Sequence, residues 1–264
     1  MATTAQPTPA PTSAPAIAGE HLSKRFGSVQ ALVDASVSVQ PGEVVAIVGD
    51  NGAGKSTFLN CLIGVHQPDT GVITVKGEAV QFSSVRDAQR RGVDCVYQDL
   101  ALAPDLSVVD NMYLGHELHR AGLGGRLGLL ARSEMVERAD EQLRSLSIAL
   151  PSLKVPVREL SGGQRQAVAV ARAVMWASSA VFMDEPTAAL GARQSEIVCE
   201  LMRTVAARGL GVLVVSHDLP RILNVADRVS ILWRGRTVRT ADAKDVTVPD
   251  IVATMVGYHE DIAS

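Results

Sequence analysis

One eight-residue stretch constrains the fold more than any other feature of the sequence: residues 49–56 read Gly-Asp-Asn-Gly-Ala-Gly-Lys-Ser. The stretch matches the pattern GxxxxGK[ST], whose small residues let backbone N–H groups wrap a phosphate chain at the N-terminus of a helix. An apolar run at residues 43–48 precedes it, and residues 56–64 are predicted to form a helix. Strand, loop and helix follow in the order that phosphate binding requires, so the chain is predicted to bind a nucleotide.

Two side chains of this loop have expected roles. The Lys55 ammonium is expected to reach the β- and γ-phosphates, and the Ser56 hydroxyl is expected to bind Mg²⁺. The alternative, a glycine-rich turn that contains a lysine by chance, does not explain the strand and the helix on either side. The residues expected to contact the nucleotide are Gly49, Asp50, Asn51, Gly52, Ala53, Gly54, Lys55, Ser56 and Thr57.

The composition describes a folded chain with balanced charge. Of the 264 residues, 47% are hydrophobic and 20% are charged, which excludes wholesale disorder. The formal net charge of −3 argues against a nucleic-acid partner, because such partners attract basic domains. The three cysteines are too widely spaced for a disulfide framework or a metal knuckle, so a reducing cytoplasm is expected. We find no sequence pattern of a membrane span or a signal peptide.

Apolar runs and helical periodicity alternate along most of the chain. Residues 1–16, rich in Ala, Pro and Thr, are predicted to be a disordered tail. The strand–helix–strand order indicates an α/β fold with a parallel sheet, and the weak strand signal between Arg86 and Arg158 indicates a helical insertion. Strands are predicted at residues 37–39, 43–48, 72–75, 93–97, 180–183, 211–215, 229–233 and 237–238. Further helices are predicted at residues 133–146 behind a Ser133 N-cap, 165–175 and 193–208.

Two carboxylates follow the strand predicted at residues 180–183. Asp184, at a strand end beside the phosphate loop, is expected to hold Mg²⁺ through its water shell. Glu185 is expected to polarise the attacking water. An acidic pair at a solvated strand end is the alternative, and the phosphate loop in the same chain argues against it.

A second anion-accepting helix start lies at residues 160–164, which read Leu-Ser-Gly-Gly-Gln. Ser161 is a natural N-cap, and the two glycines leave backbone amides exposed. Together with the phosphate loop and the Asp184–Glu185 pair, this sequence resembles the ATP-binding-cassette (ABC) ATPases. The resemblance covers residues 17–258.

The resemblance implies a P-loop NTPase of the ABC type and its subdomains. A mainly parallel core with an antiparallel β subdomain would comprise residues 17–86 and 159–258, a helical subdomain residues 87–158, and a C-terminal tail residues 259–264. Two cassettes would pack head to tail, with ATP between the phosphate loop of one copy and the second helix start of the other. The residues of that second start are Ser161, Gly162, Gly163 and Gln164.

The family pattern also gives roles to three residues that would otherwise be ordinary polar or core positions. Gln98 matches the glutamine that senses metal and water, and His217 matches the switch histidine that contacts the γ-phosphate. Phe26 lies near the position of the aromatic residue that stacks on adenine. Gly191 departs from the pattern, because the commoner loop has an aspartate there. Full symmetrical coupling of two sites is therefore in doubt, although some similar sugar-importer cassettes share Ala-Ala-Leu-Gly at 188–191.

Residues 96–115 carry a closer resemblance, to cassettes of bacterial ribose-, xylose- and fructose-type sugar importers. The single-cassette subunits of the fructose type are the most similar. This implies a peripheral ATPase at the cytoplasmic face of the membrane, with permease subunits, a second identical chain and, indirectly, a sugar-binding protein as partners. Apolar residues at 100–114 are expected to form a groove for a permease helix, unless they only pack the helical insertion.

Three other functions remain possible on this sequence. The Gly191 departure is compatible with a clamp that dimerises on ATP and hydrolyses little. An exporter cassette is a further possibility. A cassette that acts on DNA or ribosomes fits less well, because such proteins usually carry tandem cassettes, coiled-coil arms or basic extensions. The sequence does not identify the sugar, whose recognition is expected in the permease and the binding protein.

Overall fold

The computed structural model describes residues 14–122, 127–188 and 190–260, with side chains up to residue 255. Most of the predicted tail at 1–16, residue Ala189 of the predicted loop and the last residues of the C-terminal tail lie outside this part. The strands are β1 Ile17–Phe26, β2 Val29–Val39, β3 Val44–Val48, β4 Thr70–Val75, β5 Glu78–Val80, β6 Val93–Val96, β7 Ala180–Asp184, β8 Gly211–Val215, β9 Arg228–Trp233 and β10 Arg236–Asp242. The helices are α1 Lys55–Leu62, α2 Val85–Arg90, α3 Val108–Tyr113, α4 Arg132–Ser145, α5 Gly162–Trp176, α6 Ala192–Ala206, α7 Leu219–Leu223 and α8 Val248–Glu260.

The strands form one mixed sheet in the order β5-β4-β1-β2-β10-β9-β3-β8-β7-β6. In the half that contains β3, five strands run parallel: β3 pairs with β8 and β9, and β7 pairs with β8 and β6. In the other half, β1 pairs antiparallel with β2 and β4, and β4 with β5. The α/β fold with a parallel core and an antiparallel β part is therefore confirmed.

Strands β3 and β8 lie at the centre because both of their faces are apolar. Every residue of Val44–Val48 and of Gly211–Val215 is buried, as expected for parallel strands covered by helices on both sides. Alternate side chains of β3 enter two separate cores: Val44, Ala46 and Val48 pack with the helical side, and Val45 and Ile47 with the α1 side. The sequence pattern of continuous β-branched residues is thus explained by burial on two faces.

Two sequence-based boundaries need correction. The helical insertion does not begin at residue 87, because β6 lies within that range and pairs in parallel with β7 in the main sheet. The helical part therefore begins after β6. Ser133 is not the N-cap of α4. The Ala131 N–H donates to the Leu118 carbonyl at 2.7 Å, and the Ala131 carbonyl accepts the Met135 N–H at 3.0 Å. The N-cap is therefore Ala131, two residues before Ser133, and the helix begins at Arg132.

The topology brings the predicted site residues to one edge of the sheet. The parallel strands β3, β6, β7 and β8 all end at the same edge, since parallel strands share one direction. Ligands bind at that carboxyl edge in open α/β sheets. The phosphate loop follows β3, Gln98 follows β6, Glu185 follows β7 and His217 follows β8. None of the helices in the described ranges is long and apolar enough to cross a bilayer.

Candidate functional site

The phosphate loop runs from β3 into α1 under close packing. A Cβ atom on Gly49 would lie 2.3 Å from the Leu232 carbonyl oxygen, and one on Gly54 would lie 2.6 Å from the Ala31 carbonyl oxygen. Both positions therefore exclude any side chain. The Lys55 ammonium donates to the Gly49 and Asp50 carbonyls at 2.9 and 3.0 Å. These two bonds hold the Lys55 side chain against the backbone of the phosphate loop.

The two carboxylates diverge at the end of β7. Glu185 has a left-handed backbone, with φ of 50°, and its N–H donates to the Val215 carbonyl of β8 at 2.9 Å. Its Oε2 lies 2.7 Å from Nδ1 of His217, within hydrogen-bond distance. The Glu185 side chain is 16% exposed and the His217 side chain 73% exposed. Glu185 is thus fixed at the sheet edge, whereas the histidine ring faces outward.

Asp184 lies in an environment that disfavours its ionised form. Burial raises the pKa of this carboxyl above its ordinary value, and the negative charge of Glu185 raises it further. The charge of Lys55 opposes the shift. A cation bound beside Asp184 would relieve this cost, because an opposite charge favours the carboxylate.

One cleft of about 530 Å³ collects most of the predicted residues. It brings the phosphate loop together with both carboxylates, Gln98 and His217. Phe26 is not part of the cleft wall: its ring is 42% exposed and packs edge-on against His66, with 4.9 Å between ring centroids. The wall is formed by Val29, Gln30, Ala31, Asn51, Gly52, Ala53, Gly54, Lys55, Ser56, Thr57, Gln98, Asp184, Glu185, Ala188, Val215 and His217.

The oxygen donors of this cleft suit a hard divalent cation. Ser56, Gln98 and Asp184 supply a hydroxyl, an amide and a carboxylate oxygen, the ligand types that Mg²⁺ prefers. In the ranges described, no group of three or more His, Cys, Asp or Glu side chains forms a complete metal cage. The donor set therefore fits Mg²⁺ that shares its remaining ligands with phosphate and water.

The second helix start is built as predicted but lies elsewhere. The Ser161 hydroxyl accepts the Gln164 N–H at 3.3 Å, and the Gln164 side chain accepts the Ser161 N–H at 2.9 Å, which closes a capping box. Ser161, Gly163 and Gln164 line a different groove, of about 400 Å³, between α5 and α6. A single chain does not bring this segment into the phosphate-loop cleft.

The sequence analysis missed Arg172, which holds the segment after Gln98. Its guanidinium, on the α5 helix, donates to the Leu100 carbonyl at 3.0 Å and to the Ala101 carbonyl at 2.7 Å. Both acceptor residues have left-handed backbones, with φ of 62° and 45°. Positive φ at consecutive non-glycine residues is unusual. No spacing rule links residues this far apart in sequence, so no pattern could reveal the contact.

The chain is similar to known proteins along most of its length. The family model described as ABC transporter matches residues 32–188. The fructose import ATP-binding protein FrcA of Rhizobium meliloti is 43% identical over 93% of this chain and 95% of its own length. The xylose/arabinose import ATP-binding protein XylG of Sulfolobus acidocaldarius is 41% identical over 89% of this chain and 91% of its own length. The ribose import ATP-binding protein RbsA of Bacillus subtilis is 35% identical, and this chain spans 47% of it.

Two solved structures show the same likeness. The ADP conformation of an ATP-binding cassette of an ABC transporter has a TM-score of 0.75 and 25% identity, over 92% of this chain and 95% of that one. A dimeric bacterial ABC transporter cassette has a TM-score of 0.71 and 25% identity, over 87% of this chain and all of that one.

Proposed function

The chain belongs to the ABC transporter family of ATP-binding proteins, and from this premise we propose that it hydrolyses Mg²⁺-ATP to drive import of a monosaccharide of the fructose, ribose or xylose class. The observation that carries the proposal is the meeting of the phosphate loop, Asp184, Glu185, Gln98 and His217 in one cleft. The sugar class is supported by the names of the two relatives that this chain matches over more than nine tenths of their length.

The phosphate loop binds the triphosphate through its backbone amides and the start of α1. Lys55 exchanges its bonds to the Gly49 and Asp50 carbonyls for oxygens of the β- and γ-phosphates. The exchange replaces the two carbonyl acceptors of the ammonium with phosphate oxygens. The remaining loop residues and Thr57 surround the phosphates. Phe26 lies on the β1–β2 hairpin, three residues before Val29 of the cleft wall, and its ring would leave His66 to stack on the adenine.

Glu185 receives the proton of the attacking water. Its fixed backbone and its partly buried carboxylate hold an acceptor at the sheet edge in advance of the reaction. His217 keeps that carboxylate oriented through the Nδ1–Oε2 contact. Because its ring is largely exposed, the same histidine is able to turn toward the γ-phosphate when nucleotide is bound.

Ser56, Gln98 and Asp184 would hold Mg²⁺ together with the phosphates. When bound, the cation neutralises the charge that develops on the transferred phosphoryl group. A bound cation would also stabilise the ionised form of Asp184, which burial and the charge of Glu185 disfavour. Gln98, at the start of the helical part of the chain, would be the ligand that this part contributes.

Two identical chains form the working unit. Ser161, Gly162, Gly163 and Gln164 of one copy face the nucleotide on the phosphate loop of the other. The separation of the two half-sites within one chain supports this arrangement, as does the dimeric cassette of similar fold. Residues 17–96, which include α2 and β6, form the core together with residues 159–258, and the segment from residue 97 to 158 forms the helical subdomain.

The helical subdomain carries the contact with membrane permease subunits. Leu106 and Leu114 are exposed apolar residues on either side of α3, and both follow the segment that Arg172 anchors. Burial of such residues under a short permease helix gives a helix-in-groove contact. The chain would then lie at the cytoplasmic face of the membrane, with a sugar-binding protein as an indirect partner.

The test is ATP hydrolysis by the purified chain and by its complex with the permease. Glu185→Gln should lower the turnover at least about 100-fold, because the proton acceptor is lost, while ATP still binds. Glu137→Gln, an exposed position on α4, serves as the control and should hydrolyse like the parent. Turnover that survives in Glu185→Gln would reject the role of Glu185.

A clamp that pairs on ATP with little hydrolysis is a second candidate, favoured by Gly191. Its N–H is bonded within its own chain, at 2.9 Å to the Gln194 side chain, and glycine offers no carboxylate to a second copy. Stimulation of ATP turnover by a sugar-loaded binding protein in the assembled transporter would exclude the clamp. Pairing without such stimulation would favour it.

A further inference from the structure

The loop that leaves Glu185 is tied to the start of α6 by Gln194. The Oε1 atom of Gln194 accepts the Gly191 N–H at 2.9 Å. This bond satisfies a backbone donor at the helix start that would otherwise lack an intrahelical partner. A glutamine three residues after the N-cap thus supports α6 in the same way that Gln164 supports α5.

The same side chain packs against the second helix start. A Cβ atom placed on Gly163 would lie 2.9 Å from Cγ and 3.2 Å from Cβ of Gln194. One placed on Gly162 would lie 3.4 Å from a methyl group of Leu190. The two glycines therefore leave room for the loop from Glu185 as well as exposing their amides, and Gln194 is the side chain that touches both segments.

We propose that Gln194 is a positioning residue that holds the Ser161–Gln164 turn against the loop leading away from Glu185. The proposal rests on the proposed function, in which Glu185 serves the nucleotide of its own chain and the turn serves the nucleotide of the partner copy. Gln194 then links the two sites through the interior of one chain. Glycine at position 191 has no carboxylate to contact the partner copy, but its N–H still bonds Gln194, so the link within the chain is kept.

A simple helix cap would behave differently. A cap stabilises α6, whereas a positioning residue also restrains amides on α5, about thirty residues earlier in the sequence. Hydrogen exchange of the hydrogen-bonded amides in 161–165, those of Ser161, Gln164 and Arg165, in the nucleotide-free chain distinguishes the two. We expect Gln194→Ala to speed this exchange about tenfold, the factor that corresponds to the loss of one contact of ordinary strength.

Two further variants make the comparison specific. Gln194→Glu keeps an oxygen acceptor of the same length and should exchange within about twofold of the parent. Arg193→Ala, the exposed neighbour in the first turn of α6, should match the parent. Unchanged exchange at 161–165 in Gln194→Ala would overturn the proposal, as would equally fast exchange in Arg193→Ala.

The functional consequence is measured by nucleotide binding and pairing. ADP affinity, which reports the phosphate loop of one chain, should stay within about twofold in Gln194→Ala. In the Glu185→Gln background, ATP-driven pairing should weaken about tenfold, and Gln194→Glu should restore it. A parallel loss of ADP affinity would overturn the proposal, because it would indicate general unfolding. If the Glu185→Gln parent itself fails to pair, the dimer of the proposed function is rejected, while the exchange result still decides what Gln194 does.

Discussion

Three of the seven non-glycine residues with positive φ in the described ranges lie next to the proposed chemistry. Glu185, Leu100 and Ala101 all have positive φ although none is glycine, and each such residue costs on the order of 1 kcal/mol or more. Each is held by a bond from another element: Glu185 by β8, and the other two by Arg172 on α5. The strain persists because the surrounding structure determines it, which is typical of functional segments.

Arg172→Lys tests the segment after Gln98. The guanidinium donates two bonds in one plane, and a lysine ammonium cannot reproduce that fork. We expect amides at 98–102 to exchange about tenfold faster, since a bond from a charged group contributes on the order of 1.5 kcal/mol or more. ADP affinity should stay nearly unchanged. Arg208→Lys, which replaces a donor to the Ser145 carbonyl, is the matched control. Equal exchange in the two variants would contradict the role of Arg172.

Asp94→Asn tests a buried carboxyl that the proposed chemistry does not use. Burial raises the pKa of Asp94, while bonds from the Cys95 N–H and the Gln89 side chain and the charges of Arg172 and His116 lower it. The folded state therefore binds more protons than the unfolded state, and stability falls as pH rises from the ordinary aspartate pKa through the raised one.

The asparagine variant lacks this dependence and keeps an oxygen acceptor. We expect the stability of Asp94→Asn relative to the parent to increase between pH 4 and pH 7 in urea denaturation. The measured quantity is the change in this difference between the two pH values, because any loss of stability that does not depend on protonation cancels in it. A fall in the stability of Asp94→Asn relative to the parent between pH 4 and pH 7 would contradict the assigned effect of burial.

At the level of elements, the β9–β10 turn supports the phosphate loop. The Gly235 N–H donates to the Ala53 carbonyl at 2.9 Å, and the Gly235 carbonyl accepts the Val33 N–H at 2.9 Å. With φ of 78°, a Cβ atom here would lie 2.8 Å from the Ala31 carbonyl oxygen. One glycine thus connects the late hairpin, the antiparallel strands and the nucleotide loop.

Gly235→Ala should therefore destabilise the chain and weaken nucleotide binding together. Gly209→Ala is the matched control: its φ is 85°, and a Cβ atom there would have nothing within 4 Å. Left-handed strain alone should cost the control about 1 kcal/mol, whereas the added clash should raise the cost at Gly235 to about 3 kcal/mol or more. Urea denaturation and ADP titration measure both effects. Similar losses in the two variants would show that the turn packing contributes nothing.

The sequence predicted elements where periodicity or motif spacing was local. The buried runs of β3, β7 and β8 and the capped start of α5 were found in this way. The boundary of the helical part was wrong because β6 is a four-residue strand between helices, and its membership in the sheet depends on pairing with β7, about 85 residues later. The start of α4 depends on the distant Leu118 carbonyl, which local propensity does not encode.

For the site, the motifs identified most residues that line the cleft, but not the residues that hold the neighbouring segments in place. Asp184 and Glu185 were assigned by their position at the end of a strand, and Gln98 and His217 by the family resemblance. Parallel strands that end at one edge bring the four residues together. Val29, Gln30 and Ala31 entered the cleft wall through the hairpin geometry of β1 and β2. Arg172 and Gln194 act through contacts that cross between elements, so the tertiary packing was needed to find them.

At the scale of the whole molecule, each chain carries two half-sites that do not meet. The phosphate-loop cleft and the groove beside Ser161 are lined by separate sets of residues. A nucleotide bound by both must therefore bridge two copies, and a twofold axis would create two equivalent bridges. In the proposed function, ATP stabilises the closed pair by the difference between its affinities for the paired and unpaired states.

Mixing two defective chains tests this arrangement directly. In the Glu185→Gln background, one chain carries Lys55→Ala and the other carries Ser161→Arg, so neither should pair with itself. A mixed pair has one doubly defective bridge and one intact bridge, made by Lys55 of the second chain and Ser161 of the first.

We expect the mixture alone to pair on ATP and to retain about one nucleotide per pair, measured by ultracentrifugation and nucleotide counting. Mixing Lys55→Ala with Ser56→Ala is the control, because both phosphate loops are then defective and no bridge is intact. Half-sites that act within one chain would give no recovery in either mixture, and that result would refute the head-to-tail pair.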